Sequence, residues 1–260
     1  MNRLWTRALP GLIALALLPA AAGTARAAAE VHRFNLVISA YPTSIAGGDF
    51  NDVIDSINKV NLVPRGFESL NEITYGWMFQ GELRYFLRQN FAVCAGVGQL
   101  RSMTSREYTF GVSDDITVRA EMLSVPINVG GDYYFTPYNQ GDFQARAYVG
   151  GGILSLTNTY GRIATVAISS TPGQGGTFTT RYAGDAPGWY AEVGAHMFFA
   201  VRYSVMLGAI YRSAQAQYVG VYSSQVGTTT YPDARLVATN VPFTLDTSGL
   251  GARMSVAIGF

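Results

Sequence analysis

The amino-acid sequence predicts an all-β fold, an eight-stranded antiparallel up-and-down transmembrane β-barrel with a short helix in its first long loop. Three observations indicate this fold: stretches in which apolar and polar residues alternate, the lack of a spanning-helix run after residue 27, and connections that alternate between short and long. In a bilayer only helices and closed barrels satisfy every backbone hydrogen bond, so an apolar chain without spanning helices favours the barrel.

The composition is typical of a protein that faces lipid. Hydrophobic residues make up 48% of the chain and charged residues 13%, whereas a soluble domain carries about 25% charged residues. Without Arg3, Arg7 and Arg26 of the first 27 residues, 15 basic residues stand against 17 acidic ones, a formal net charge of −2, and Lys59 is the single lysine. This composition does not suggest a polybasic surface for nucleic acid. The single cysteine, Cys94, excludes an intramolecular disulfide.

The first residues have the features of an export signal. Arg3 and Arg7 precede an apolar run over residues 9–23, and Ala25-Arg26-Ala27 provides the small side chains that a signal peptidase needs. The alternative, a membrane anchor, is disfavoured because the run is shorter than the ~20 residues of a spanning helix. We therefore expect a cleaved signal peptide over residues 1–27 and a barrel domain over residues 28–260.

The predicted strands follow from the alternation, which is clearest in residues 249–260. There one face is wholly apolar, and the other carries small residues and Arg253. Seven earlier stretches repeat this pattern, each near the ~9–11 residues that a tilted strand needs to cross a bilayer. They cover approximately residues 33–40, 73–85, 91–97, 123–135, 143–153, 189–199 and 204–212.

The connections set the orientation of the barrel. The short ones cover residues 87–90, 136–142 and 200–202, and the long ones residues 47–71, 106–119, 161–187 and 219–247. Aromatic residues flank the short connections, as in the girdle at a membrane boundary. Both termini are predicted on this periplasmic side, which requires an even number of strands.

The first long loop contains the helical pattern. Asp49 is the expected N-cap, and Pro64 and Gly66 end the run. The residues expected to share one face are Phe50, Val53, Ile54, Ile57 and Val60. The helix either packs on the barrel rim or plugs the lumen; rim packing is favoured, because amphipathic helices usually only bury an apolar face.

Two other long loops are predicted to be strand extensions. Residues 112–115 and 172–176 have the composition of hairpin tips. Such tips are candidates for contact with an extracellular ligand, although surface loops are more often merely solvated.

The predicted inner face carries charged side chains that form a candidate lumen-lining polar network. Its members are Arg33, Glu82, Arg84, Arg146, Glu192, His196, Arg212 and Arg253. Unpaired charges in a narrow interior are costly, so pairing is expected. The network either fills the interior, as in small barrels, or lines a polar conduit, and filling is favoured at eight strands. Small residues at 150–152 are expected to relieve crowding within a strand.

The sequence indicates no enzyme, metal site or cofactor. His32 and His196 are the only histidines, and neither has a serine two residues away, as a lipid-deacylating barrel would need. With one cysteine, the chain offers no cluster of metal ligands.

Three segments carry a resemblance to a known family. "SVPINVGGDYYF" (residues 124–135), "GWYAEVGAHMFF" (residues 188–199) and the closing pattern over residues 254–260 resemble the small outer-membrane β-barrel superfamily that includes the OmpA transmembrane region, OmpX and OmpW. The resemblance implies a monomer in outer-membrane lipid. Some members carry a periplasmic peptidoglycan-binding domain, and we expect this chain to lack it because the sequence stops at Phe260. The resemblance also implies recognition by the barrel assembly machinery through Phe260, Ile258, Val256 and Met254.

The resemblance leaves the function open between classes. A structural or surface-interaction barrel is the first hypothesis. A narrow pore or transporter for small solutes, as in the OmpW branch, is the alternative. A lipid-modifying barrel enzyme is the third.

Overall fold

The computed structural model describes residues 32–110, 114–140, 143–168, 176–199, 202–218, 224–226, 229–231 and 243–260. The predicted signal peptide lies outside the described residues, as does most of the two predicted hairpin tips. None of the described helices has the length and hydrophobicity needed to cross a membrane.

The described residues form one helical segment and thirteen strands. The strands are β1 (Phe34–Ser44), β2 (Gly47–Gly48), β3 (Tyr75–Arg88), β4 (Phe91–Phe110), β5 (Asp114–Tyr134), β6 (Tyr138–Gln140), β7 (Phe143–Ile168), β8 (Gly176–Phe198), β9 (Tyr203–Tyr218), β10 (Ser224–Val226), β11 (Thr229–Tyr231), β12 (Phe243–Asp246) and β13 (Gly249–Gly259). The helical segment is α1 (Asp49–Ile57), followed by a π-turn (Asn58–Leu62) and a 3₁₀ turn (Val63–Arg65).

Eight long strands form a closed antiparallel ring in the order β1, β3, β4, β5, β7, β8, β9 and β13. The ring closes because β13 pairs with both β9 and β1; Val256, for example, lies opposite Val205 and Ile38. The predicted all-β antiparallel barrel is thus confirmed. Short strands within the predicted connections, such as β6 and β12, were not predicted, because runs of three or four residues show no clear alternation.

The wall strands are longer than a membrane crossing requires. β7 has 26 residues and β8 has 23, against the ~9–11 that cross a bilayer. The excess comes from the segments predicted as strand extensions, which continue the ladder with Ile163 opposite Thr180. A β-bulge near Asn158, which has φ 48°, separates these extensions from the lower wall.

The two faces of the wall differ in kind along its length. The outer face is apolar and exposed, as predicted. The inner face is polar only in its lower part, next to the short connections. Above it the inward side chains are apolar and buried, for example Met78, Leu100, Met122 and Leu156, because α1 packs against them. The alternation predicted a polar inner face, and for this upper layer that prediction is wrong.

Helix α1 begins one residue earlier than predicted. Gly48, with φ 62°, occupies the N-cap position, and Asp49 is the first helical residue. The Asp49 carboxylate instead accepts a hydrogen bond of 2.7 Å from the Thr244 backbone N–H. This bond ties the helix to β12, whose Leu245 packs near Phe50 in the same apolar cluster.

The buried face of α1 also ends earlier than predicted. Phe50 and Ile54 are fully buried, but Val60 is 66% exposed. The π-turn that begins at Asn58 rotates the following residues and points Asn58 inward. There the Asn58 amide bonds the Leu70 backbone twice, at 2.7 and 2.9 Å.

The helix lies inside the mouth of the barrel. Phe50 meets the Tyr182 ring edge-on at 6.3 Å, and a Cβ on Gly161 of β7 would lie 2.7 Å from the Phe50 ring. Phe50 and Ile54 belong to the same buried cluster as inward residues of the wall. Helix α1 therefore has the geometry of a plug, whereas the sequence favoured the alternative of packing on the rim.

Candidate functional site

The lower interior of the barrel holds a network of buried ions. Alternation along the wall strands turns Glu82 and Arg84 of β3, Asp132 of β5, Glu192 of β8 and Arg253 of β13 inward. All five are at most 3% exposed. Arg84 contacts Asp132 at 2.6 Å and Glu192 at 3.0 Å, and it also pairs with Glu82. Arg253 pairs with Glu192 and with Glu82, the latter at 3.2 Å.

The Arg84–Glu192 contact crosses the full width of the barrel. β3 and β8 are four strands apart in the ring of eight, in whichever direction they are counted. Their side chains therefore come from opposite walls and meet in the middle. Two extended side chains are enough to span the interior at this level.

Neutral groups complete the bonding of the network. Gln80 donates to Glu82 at 3.2 Å and to Asn128 at 3.0 Å. Arg84 also donates to the Tyr134 hydroxyl at 2.7 Å. Such partners offset the cost of removing the ions from water, since a buried charge needs hydrogen bonds as well as a counter-ion.

Glycines in the wall provide the space that the network occupies. A Cβ on Gly150 would lie 1.9 Å from Asp132 Oδ1, and one on Gly130 would lie 2.3 Å from the Tyr190 hydroxyl. At these distances either Cβ would force a neighbouring atom to move. The glycines at 150–152 therefore relieve crowding, as the sequence analysis expected.

The structure brings together four of the eight residues predicted for the lumen network. These are Glu82, Arg84, Glu192 and Arg253, which form direct ion pairs. His196 lies one contact further, since its Nδ1 is 3.4 Å from the Tyr134 hydroxyl that accepts from Arg84.

The other three predicted residues do not join these ion pairs. Arg212 donates to the Thr247 carbonyl at 2.7 and 2.9 Å, above the network. Arg146 donates to the Gln89 carbonyl at 2.6 Å, beside a short turn. Arg33 precedes β1 and is exposed, because the strand begins only at Phe34.

Asp132 was missing from the predicted network. The signal that could have identified it is charge balance: the predicted set holds five arginines against two glutamates, so further carboxylates were needed. Asp132 shares the inward side of β5 with Asn128. Its contact with Cys94 Sγ, at 3.1 Å, could not be anticipated from sequence.

A serine–histidine contact also escaped the sequence analysis. His196 Nε2 lies 2.7 Å from Ser204 Oγ on the neighbouring strand, eight residues later in the chain. Such a pair can activate a serine nucleophile. Here both side chains are buried, and the Phe198 ring stacks on His196 at 4.1 Å. The geometry supports packing rather than access by a substrate.

Comparisons with known proteins support the architecture. The model of the family described as outer membrane protein beta-barrel domain matches residues 13–233. No curated protein matches the chain.

Three solved structures are matched at low similarity. The attachment invasion locus protein Ail of Yersinia pestis, solved with the heparin analogue sucrose octasulfate, is 12% identical, with 88% of this chain and 98% of that chain covered and a TM-score of 0.37. The N-terminal β-barrel domain of Pseudomonas aeruginosa OprF is 12% identical, with 89% and 100% covered and a TM-score of 0.33. The outer membrane protease OmpT of Escherichia coli is 9% identical, with 91% and 99% covered and a TM-score of 0.37. Scores this low carry no information on function.

Proposed function

Since the chain belongs to the outer membrane protein β-barrel domain family, we propose that it is a closed, non-catalytic outer-membrane barrel of structural or surface-interaction type. The observation that carries this proposal is the Arg84–Glu192 contact, in which side chains from opposite walls meet at 3.0 Å. Since the five ions of this layer are at most 3% exposed, the proposal is that no continuous aqueous path passes this level.

The proposed membrane span is the lower part of the eight-stranded wall. Exposed aromatic residues mark both of its ends: Tyr203 and Phe260 lie beside the short connections, and Trp77, Trp189 and Tyr211 lie toward the long ones. Amphipathic rings favour the membrane–water boundary. In this arrangement the chain crosses the outer membrane eight times, as a monomer, after export by a signal peptide over residues 1–27.

Two layers close the interior against solutes. The ion network is the lower layer, and the apolar cluster around Phe50 and Ile54 of α1 is the upper one. Opening the lower layer would separate buried ions, and removal of one partner from a buried pair costs ~3–5 kcal/mol. This cost favours a filled barrel over the alternative of a narrow pore for small solutes.

The extended hairpins provide the surface for interaction. The ladder between β4 and β5 continues to Phe110 opposite Asp114, and that between β7 and β8 to Ala167 opposite Gly176. The wall thus rises well beyond the proposed span, and its rigid extensions would carry any loop that contacts an extracellular ligand. The burial of Ser204 and His196 supports a non-catalytic role.

Planar-bilayer recordings of the purified protein test the closed interior. We expect no stable, reproducible channel openings over a range of voltages, with an open porin of known conductance recorded as the positive control. Reproducible open channels from the folded protein would overturn the filled-interior proposal. In that case the pore alternative would replace it.

A further inference from the structure

The outer face of the wall carries a cluster of arginines around one carboxylate. Arg101 of β4, Arg119 of β5 and Arg162 of β7 approach Glu121 at 2.9, 3.6 and 2.7 Å. Arg181 of β8 lies opposite Arg162 in the ladder. We name these four arginines and Glu121 the arginine cluster.

The ladder places the cluster outside the barrel. Glu121 lies opposite Met103 on one side and Arg162 on the other, and Met103 is 52% exposed on the outer face. The next residue of β5, Met122, is fully buried inside. Because successive side chains of a strand point to opposite faces, Glu121 and its partners face outward.

The cluster lies just beyond the lipid-facing part of the wall. Arg101 is the ladder partner of Trp77, one of the exposed aromatic residues at the upper boundary. A rise of ~3.3 Å per residue and a strand tilt of ~40° place Glu121 roughly 10 Å beyond Trp77 along the membrane normal. Lipid headgroups extend ~5–8 Å beyond the hydrocarbon core on each side, so their level lies between Arg101, which is beside Trp77, and Glu121.

Positive charge exceeds negative charge within the cluster. Among the described residues, the ion pairs of Arg101, Arg119 and Arg162 all go to Glu121. Arg162 and Arg181 lie directly opposite each other, an arrangement that is destabilising for like charges without a counter-ion. Among the other outer-face carboxylates, Glu107 and Asp115 stand nearer the hairpin tip. Asp185 lies four residues along β8 from Arg181 and accepts a hydrogen bond of 3.0 Å from the Asn158 backbone N–H.

The arginines of this cluster have N–H groups that remain available to donate hydrogen bonds to a ligand. The side chains of Arg101, Arg119 and Arg162 are 51%, 38% and 39% exposed. Arg119 Nε is buried and has no hydrogen-bond partner within the described part of the chain. The Arg181 guanidinium lies 4.4 Å above the Tyr160 ring, which orients its plane.

A groove adjoins the cluster on the side of β4. Its volume is about 590 Å³, and its lining includes Tyr75, Met103 and residues 69–74, among them the carboxylate Glu72, which disfavours a second anionic group in the groove. Since Met103 is also the ladder partner of Glu121, the groove opens beside the arginines. A ligand held by the cluster would have room there for an uncharged polar part.

We propose that the arginine cluster binds the phosphorylated headgroup of an anionic lipid of the outer leaflet. Guanidinium groups bind phosphate oxygens through paired, charge-assisted hydrogen bonds. A lipid is favoured over a soluble anion because the cluster lies on an outer wall that continues into an apolar, lipid-facing surface. The proposal rests on the membrane orientation given under the proposed function.

Lipid binding by the folded, detergent-solubilised protein tests this proposal. The cluster variant combines Arg119→Gln and Arg162→Gln. The control variant combines Arg65→Gln and Arg88→Gln, which remove the same amount of positive charge at exposed positions outside the cluster. Each protein is titrated with lipid A, with dephosphorylated lipid A and with inorganic phosphate. We expect the cluster variant to bind lipid A at least about tenfold more weakly than the wild type and the control.

Each outcome decides a separate point. Equal affinity of the wild type and the cluster variant for lipid A would overturn the assignment of the site. Equal binding of dephosphorylated lipid A would remove the role of phosphate, and inorganic phosphate that binds as tightly as lipid A would indicate a soluble anion. Heat-modifiable electrophoretic mobility verifies that both variants fold. A conducting barrel that still binds lipid A through these arginines would refute the closed interior alone.

Discussion

Arg84 Nη2 and Glu192 Oε1 meet at 3.0 Å in the middle of the barrel, although their strands stand on opposite sides of the ring. Both side chains are buried, and each has at least one further ionic partner. A contact of this kind holds opposite walls together, which pairing between adjacent strands cannot do.

Removing the Glu192 carboxylate should strongly destabilise the barrel. Glu192→Gln leaves Arg84 and Arg253 buried with one counter-ion fewer, and the expected loss is about 3 kcal/mol in the free energy of unfolding. Urea unfolding in lipid vesicles, followed by tryptophan fluorescence, measures it. The matched control, Glu68→Gln, removes an exposed partner of Arg106 and should cost less than ~1 kcal/mol. Equal losses for both variants would contradict the role of the network.

The plug predicts unequal effects along the helical segment. Phe50→Ala removes a fully buried ring and should cost about 3–5 kcal/mol, as large-to-small changes in a core do. Val60→Ala changes a side chain that is 66% exposed and should cost less than ~0.5 kcal/mol. The same unfolding measurement compares the two. A small effect at Phe50 would show that the helix does not pack inside the wall.

Substitution of a wall glycine by alanine should cost stability only where other atoms occupy the position of the new Cβ. Gly150→Ala would place a Cβ 1.9 Å from Asp132 Oδ1, whereas Gly81→Ala meets nothing within 4 Å. We expect Gly150→Ala to cost ~1–3 kcal/mol by overpacking, and Gly81→Ala to have little effect. Unfolding midpoints measure the difference, and a neutral Gly150→Ala variant would contradict the crowding described here.

The last residue is predicted to act in assembly rather than in stability alone. The Phe260 ring stacks on Phe34 at 6.4 Å, and its backbone N–H donates to the Phe34 carbonyl at 2.9 Å. Phe260→Ala should reduce the heat-modifiable, folded fraction in the outer membrane. Phe135→Ala removes another exposed ring and should leave that fraction unchanged. Normal insertion of the Phe260 variant would remove Phe260 from the assembly signal.

The arginine cluster predicts a pH dependence with a definite sign. Burial acts to raise the pKa of Glu121, but the hydrogen bond from Arg162 and the charge of Arg101 outweigh it and lower the pKa below the ordinary 4.5. A lowered carboxyl pKa stabilises the fold above the ordinary value, and this stabilisation is lost as the pH falls through the lowered one. Glu121→Gln should therefore have a lower free energy of unfolding than the wild type, by the same amount at about pH 7 and at about pH 5.5. This difference in free energy should shrink only below about pH 4.5. Urea midpoints at these pH values measure it; a difference that vanishes already by about pH 5.5 would contradict the ion pairs.

The alternation of apolar and polar residues was sufficient to predict the strands of the wall. It was insufficient to predict which side chains contact one another inside the barrel. The alternation in residues 249–260 assigned Arg253 to the inside and Met254 to the outside, and the structure agrees. It did not identify the ions that Arg253 contacts, since Glu82 precedes it by 171 residues and their proximity depends on ring closure. Ser204 was not recognised as the partner of His196 for a different reason: only a serine two residues away was considered, whereas this contact depends on the register between β8 and β9.

By itself the sequence determined the antiparallel barrel, the apolar outer face and the inward side of each lower strand, because a period of two residues is a local property of extended chain. Only the tertiary structure decided that α1 lies within the wall, that Val60 turns outward after the π-turn, and that Glu121 gathers three arginines on the outer face. These features depend on register between strands and on the width of the closed ring, which bring together side chains that are far apart along the chain.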